Sequence, residues 1–114
     1  MRYLVYESEM EWQEHPEFEG VLIKVLQSKK DHGSLATVVF TRVPKGGEVP
    51  VHVHEESDDI LYIIDGMAEM AIDGIGTFEM QKGGCLRVPK NTKHHIFNVA
   101  KDLLLYDVWA PPTI

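Results

Sequence analysis

The sequence predicts an all-β fold, a sandwich or barrel of short strands. Apolar runs of four to nine residues recur along the chain, and clusters rich in Gly, Pro, Asp and Asn separate them. Val, Ile, Thr, Tyr and Phe gather inside the runs. Such side chains fit a pleated, half-buried surface, and short runs with regular turn punctuation are the pattern of sheets folded onto one another.

Taken in order, the chain begins with a stretch, Ser8–Glu14, that has the spacing of a short helix, with Ser8 as its cap and Glu11 three residues on. Strands are expected at Val21–Gln27, Leu35–Val43, Val49–His54, Ile60–Asp65, Met67–Ile72, Thr77–Met80, Cys85–Val88, His94–Val99 and Leu103–Trp109. Lys29, Lys30, Asp31, His32 and Gly33 read as a solvated turn. Asp65-Gly66 and Asp73-Gly74 are hairpin signals, because glycine supplies the positive φ of a tight turn. Two strands are apolar on both faces. Leu61 and Ile63 oppose Ile60, Tyr62 and Ile64, while Val39 and Val43 oppose Val38 and Phe40. Antiparallel sheets commonly leave one face in water. An outer face is therefore expected to be covered by the N-terminal segment or by a second copy of the chain.

The 114 residues fit one domain, 1–114, able to bury a core without disulfides. Eleven Lys and Arg against eighteen Asp and Glu leave a net charge of −7 with no basic stripe, which argues against binding a phosphate backbone. Glu7, Glu9 and Glu11 interrupt the start, and no apolar run approaches the length that crosses a bilayer. Cys85 is the one cysteine, so no intrachain disulfide forms, and it is expected as a small core residue. A soluble cytoplasmic protein is the expectation.

The stretch VPVHVHEESDDILYIIDG, residues 49 to 66, carries the chemistry. Alternation along a strand puts His52 and His54 on one face, their Cα atoms about 7 Å apart. Two imidazoles so placed can converge on one ion, although such pairs also occur on solvated strands. Downstream, GGCLRVPKNTKHHIFN, residues 83 to 98, ends a strand at Pro89 and turns at Lys90-Asn91. It then enters a strand on which His94, Ile96 and Asn98 share one face and His95, Phe97 and Val99 the other. One of the adjacent histidines can point inward, and an antiparallel partner would bring it to His52 and His54. Three imidazoles with a nearby carboxylate form a set for a transition metal.

These stretches resemble the motifs of the cupins, small double-stranded β-helix (jelly-roll) barrels. The first cupin motif runs Gly, five residues, His-x-His, three or four residues, Glu, six residues, Gly. Here Gly46, His52, His54, Asp59 and Gly66 keep that spacing through residues 46–66. The second runs Gly, five residues, Pro-x-Gly, two residues, His, three residues, Asn. Gly83, Pro89, Asn91, His94 and Asn98 keep it through residues 83–98. Asn91 replaces a glycine, a mild change because Asn tolerates left-handed backbone. Asp59 replaces a glutamate and is one methylene shorter. The resemblance implies a cupin barrel with His52, His54 and His94 as metal ligands and Asp59 as the fourth, and it selects His94 over His95. Asp58 has the wrong parity, and Glu55 and Glu56 fit a strand-end loop. His15 and His32 lie outside the set and read as surface residues.

The set suits Mn, Fe, Co, Ni, Cu or Zn. The resemblance implies a metal-dependent enzyme acting on a small oxygen-rich substrate, of isomerase, lyase, decarboxylase or dioxygenase type. A non-catalytic module that binds a metal or small molecule is the alternative, and a domain that needs a separately encoded partner is a third reading. No catalytic residue is assigned: Arg42, Tyr62, Tyr106 and Cys85 are candidates whose facing the sequence leaves open. The expected partners are a small-molecule ligand and a second copy of the chain in a homodimer, with no nucleic acid or membrane.

Overall fold

A computed structural model describes residues 2–114. The strands are β1 (Gln13–Glu14), β2 (Leu22–Gln27), β3 (Thr37–Val43), β4 (Val49–His52), β5 (Asp58–Ile72), β6 (Gly76–Gln81), β7 (Cys85–Val88) and β8 (His94–Ala110). All their pairings are antiparallel. The fold is the jelly roll, and two long strands build it. The first half of β5 pairs with the second half of β8 and with β7, whereas its second half pairs with the first half of β8 and with β6. β3, β2 and β1 extend the first of these sheets, and β4 extends the second.

The sequence divides β5 and β8 into shorter runs, and the structure corrects this. The chain passes through Asp65-Gly66 without turning back, with register shifts on both sides of Asp65. The inward positions change phase there, from Leu61 and Ile63 to Ala68, Met70 and Ile72. Gly66 has φ 104, and a Cβ on it would collide with the Asp102 carbonyl. A glycine that reads as a turn thus serves a bulge and a close backbone crossing. Asn98 acts similarly on β8, with φ 49 and its amide donating to the Glu69 carboxylate at 2.6 Å. Past it Val99 turns inward, so the expected pairing of Asn98 with the face of His94 and Ile96 does not hold. At Asp73-Gly74 the expected hairpin does form, with the Ile75 N–H donating to the Ile72 carbonyl at 3.0 Å.

Three smaller expectations also change. Ser8 caps no helix: a 3-10 turn at Glu7–Glu9 follows Tyr6, and Gln13–Glu14 joins the sheet against β2. A two-turn helix lies below the length at which helices sustain themselves, and strand pairing satisfies the backbone instead. Lys29–His32 is a single turn of helix, α1, in place of a solvated turn. The Ser28 hydroxyl accepts from the Asp31 N–H at 3.0 Å to begin it, and Gly33 at φ 66 ends it. Cys85 is exposed rather than in the core, because parity on β7 gives the inward place to Val88.

Met70, Met80, Leu103 and Leu105 fill the space between the sheets, each burial worth about 1.5–3 kcal/mol. On the outer side, Lys24 is buried under the N-terminal segment. Its ammonium lies 2.9 Å from the Glu7 carboxylate and 4.8 Å from the centre of the Trp12 ring. An ion pair with one partner exposed adds little net stability, but this one ties the segment to β2. The cover stops at β2. Phe40, Tyr106 and Tyr62, aligned by register across β3, β8 and β5, remain outside it. No helix among the described residues is long and apolar enough to cross a membrane.

Candidate metal centre

Strands β4 and β8 place two imidazoles together. His52 and His94 are register partners with ring centroids 4.1 Å apart. His52 donates its Nδ1–H to the Pro50 carbonyl at 2.7 Å, and His94 donates its Nδ1–H to the Thr92 carbonyl at 2.9 Å. These bonds assign the ring protons to Nδ1 and leave both Nε2 lone pairs free. His54 follows β4, its carbonyl accepting the Asn91 N–H at 2.7 Å. Asn91 adopts φ 56, the left-handed conformation that a glycine would otherwise supply. One ligand nitrogen from each of His52, His54 and His94 lies within 4.8 Å of the others. His95 stacks on Phe97, centroids 4.7 Å apart, on the other side of β8.

Asp59 enters from the opposite sheet, 4% exposed. Its Oδ2 lies 3.8 Å from His54 Nε2 and 3.9 Å from His94 Nε2. These are not ion pairs, because the imidazoles are neutral. Burial, reinforced by the neighbouring rings, lowers His54 and His94 to about 4, and burial lowers His52 as well. Asp58 faces away, accepting the Lys90 N–H at 2.9 Å, and Glu55 and Glu56 are exposed in the loop.

Behind Asp59 stands Asp107, which the sequence reading missed. Asp59 is opposite Trp109 and Leu61 is opposite Asp107, so the two carboxyls are diagonal neighbours on the inner face. Asp107 is 3% exposed and accepts the Thr41 hydroxyl at 2.6 Å. Burial pushes its carboxyl up to about 6, against the opposing bond from Thr41. Burial, then the Asp107 charge, pushes Asp59 well above the usual carboxylate range, and the Trp109 indole N–H partly offsets this without making a geometrically sound hydrogen bond. Two acids so placed share a proton in preference to ionising together. The available signal was a lone Asp at an inward position of an apolar run, since buried carboxylates are rare without a partner.

His54 Nε2, His94 Nε2 and Asp59 Oδ1 are buried with no hydrogen-bond partner among the described residues. Each such atom costs about 1–3 kcal/mol. Neutral imidazoles beside a carboxyl are the donor set of a divalent transition metal, which would satisfy the two imidazole nitrogens together. The Asp59 oxygen nearest them is Oδ2, and the ligand atoms gathered within 4.8 Å of one another belong to the three histidines. The residues fit such an ion.

The group opens into a cavity of about 40 Å³ with walls that include Val49, Leu61, Met70, Ile96 and Leu105 and with no Lys or Arg among the described residues lining it. That volume holds roughly three waters. The segment before β2 forms part of its rim. Phe18 lies 4.9 Å from the His52 ring, and His15 stacks on Phe18 at 4.4 Å. His15, expected at the surface, therefore lines the cavity. Strand parity could not place it, because it sits on a loop. His32 belongs to α1, where its Nδ1 accepts the Ser28 N–H at 3.0 Å. The four open candidates lie outside the cavity: Tyr62 and Tyr106 on the outer face, Arg42 at 3.5 Å from Asp102, and Cys85 exposed.

Comparison with known proteins agrees with this architecture. The family model for the Cupin domain matches residues 39–109, from β3 through most of β8, and the chain belongs to the cupin family. An uncharacterised protein of Methanocaldococcus jannaschii is 37% identical over 57 residues, 50% of this chain and 45% of that protein. Quercetin 2,3-dioxygenase of Bacillus subtilis is 27% identical over 70 residues, 61% of this chain and 20% of that protein. The matched stretches thus span less than half the length of these curated relatives. A solved structure from Thermotoga maritima, described as a predicted oxalate decarboxylase, superposes with a TM-score of 0.82 at 23% identity, covering 95% of this chain and 98% of that one. That likeness shows the fold.

Proposed function

We propose that the chain binds one divalent transition metal through His52, His54 and His94, with Asp59 as fourth ligand directly or through one water, and acts on a small oxygen-bearing molecule in the adjoining cavity. The observation that carries this reading is the group of buried, unpartnered donor atoms converging beside an otherwise apolar cavity. When bound, the ion would supply Lewis-acid polarisation of a substrate oxygen. The carbonyls of Pro50 and Thr92 orient the two rings they hold. Where a water stands between Asp59 and the ion, Asp59 and Asp107 keep one proton between them at the cavity wall, available to be given to a substrate atom and taken back. The apolar walls and Phe18 displace water from part of the site, which strengthens the electrostatic contacts there.

That carboxyl pair favours proton-transfer chemistry, isomerase or lyase in type, over the decarboxylase and dioxygenase alternatives. The cavity volume favours a molecule of few non-hydrogen atoms. Quercetin, in the name of the Bacillus relative, has three rings and would require the loop carrying His15 and Phe18 to open. A second reading, a binding module without catalysis, draws support from Phe18, which packs against the His52 ring at 4.9 Å and narrows the approach to it.

The uncovered face formed by Phe40, Tyr106 and Tyr62, with Val38, Val108 and Ile60 beside them, supports a homodimer. Contiguous exposed apolar surface of this kind marks an interface, and Phe40 and Tyr106 already pack edge to face at 5.8 Å. The free, exposed Cys85 suits a reducing, cytoplasmic compartment. Metal analysis of protein purified without added metal, followed by titration with Mn, Co, Ni and Zn, tests the central reading. One ion per chain is expected, and refusal of all four by the intact protein would overturn it.

A further inference from the structure

We infer that His15 is a ligand-binding residue, donating its Nε2–H to an oxygen of the small molecule that takes an open position on the ion. This inference rests on the metal reading above and adds a contact from outside both sequence motifs.

The loop that carries His15 is built around its ring. The Nδ1 accepts two backbone N–H groups, that of Glu17 at 3.0 Å and that of Phe18 at 3.3 Å. The His15 N–H donates to the Val21 carbonyl at 2.8 Å, and the Val21 N–H donates back to the Phe18 carbonyl at 3.3 Å. Donors converging on Nδ1 require a lone pair there, so the proton of the neutral ring sits on Nε2. This is the opposite tautomer from His52 and His94, whose Nδ1 atoms donate to carbonyls. Those two rings present lone pairs, as a cation requires, whereas His15 presents an N–H, as an anionic oxygen requires.

Position supports the same assignment. His15 stacks on Phe18, Phe18 rests against His52, and all three line one cavity. Among the described residues the His15 Nε2–H has no hydrogen-bond partner. Competing donors are scarce: no Lys or Arg lines the cavity, the Thr41 hydroxyl is engaged on Asp107, and the Trp109 N–H lies beside Asp59. The chemistry recognised is a small carboxylate or hydroxy acid, one oxygen on the ion and another facing the mouth.

The test uses cobalt-loaded full-length chain, read by visible absorption and titrated with glycolate, or with imidazole as a ligand that offers no acceptor once bound. In His15→Asn, the side-chain oxygen stands where Nδ1 stood and still accepts from the residues two and three ahead, so the loop is kept and the Nε2 donor is lost. His15→Gln does the reverse, placing an amide N–H near the Nε2 position. Cobalt affinity should stay within about twofold in both variants. Glycolate binding should weaken about tenfold in His15→Asn, the size of one charge-assisted hydrogen bond, and less in His15→Gln, with imidazole binding unchanged. Wild-type glycolate affinity in His15→Asn with a loss in His15→Gln would reveal a purely loop-holding role and overturn the inference. So would equal losses for glycolate and imidazole, or no glycolate binding by the cobalt-loaded wild type. If the wild type takes up no cobalt, the metal reading itself falls; intact cobalt binding with unaltered glycolate affinity removes the His15 assignment alone.

Discussion

His52 and His94 face each other across β4 and β8, ring centroids 4.1 Å apart, and each donates its Nδ1–H to the carbonyl two residues before it. Each ring is thereby held by its own strand, their planes inclined 55° to each other, with His54 5.1 Å from one and 5.4 Å from the other. His94→Ala should weaken zinc or cobalt binding by at least about 100-fold, while His95→Ala should change it by less than about fivefold, since His95 lies on the far side of β8 and offers at most indirect support. Calorimetric titration of the two variants checks this, and equal losses would contradict the assignment.

Asp59 should contribute less than a histidine. Its side chain is one methylene shorter than the glutamate of the family pattern, and metal–oxygen bonds tolerate only tenths of an ångström. Asp59→Ala should lose less affinity than His52→Ala, and Asp59→Glu should bind at least as well as wild type. Because burial and Asp107 hold the Asp59 proton in place, direct coordination must release it. Wild-type affinity should rise with pH by about one proton per ion, and Asp59→Ala should flatten that slope. A slope unchanged in Asp59→Ala would mean that this carboxyl stays out of the coordination shell.

The carboxyl pair also sets a pH dependence in the metal-free protein. Burial raises Asp107 from 3.8 to about 6, so across that window the folded chain binds more protons than the unfolded one, and stability falls as pH rises. Asp59, raised further, extends the same trend upward. His54 and His94, lowered from 6.5 to about 4, act in the opposite sense: the unfolded chain binds the extra protons, so stability is lost as pH falls through that range. Asp107→Asn removes one component of the first trend and leaves the second. Its melting temperature relative to wild type should therefore climb between about pH 4 and about pH 6 and level off above that. A constant difference would contradict the raised pKa.

Much of the site was legible because strand alternation is local. Parity put His52 and His54 on one face, the resemblance to the cupin motifs added Asp59 and preferred His94 to His95, and the structure places all four beside one cavity. Where the chain leaves simple alternation, the reading fails for identifiable reasons. A bulge and a hairpin both call for glycine at positive φ, so Asp65-Gly66 and Asp73-Gly74 look the same in one dimension. The phase change at Asn98 turned Val99 inward against expectation, for the same reason. His15 was missed because a loop has no period, and Asp107 because the proximity of two carboxyls depends on cross-strand register.

The two Asp-Gly steps can be told apart experimentally. Gly66 has φ 104 and backbone in the path of any Cβ, while Gly74 has φ 73 and open space around it. Gly74→Ala should cost about 1–2 kcal/mol from backbone strain alone, and Gly66→Ala about twice that or more. Urea midpoints at constant slope would report the difference. Equal costs would mean that Gly66 does not sit at a crossing of β5 and β8.

The outer face should hold two copies of the chain together. Light scattering is expected to return twice the 13.0 kDa chain mass, with an interface of roughly 2,000 Å² or more. Tyr106→Glu, which buries a charge at the centre of that face, should give a monomer of unchanged metal affinity. A monomeric wild type at micromolar concentration would remove the homodimer from the account.

The most direct test of the account is anomalous diffraction from crystals grown with cobalt or zinc, recorded at the absorption edge of the added metal. One peak per chain is expected, within bonding distance of His52, His54 and His94 on the side that faces Asp59. A peak elsewhere, or no peak with waters hydrogen-bonded to the three Nε2 atoms, would contradict the metal centre.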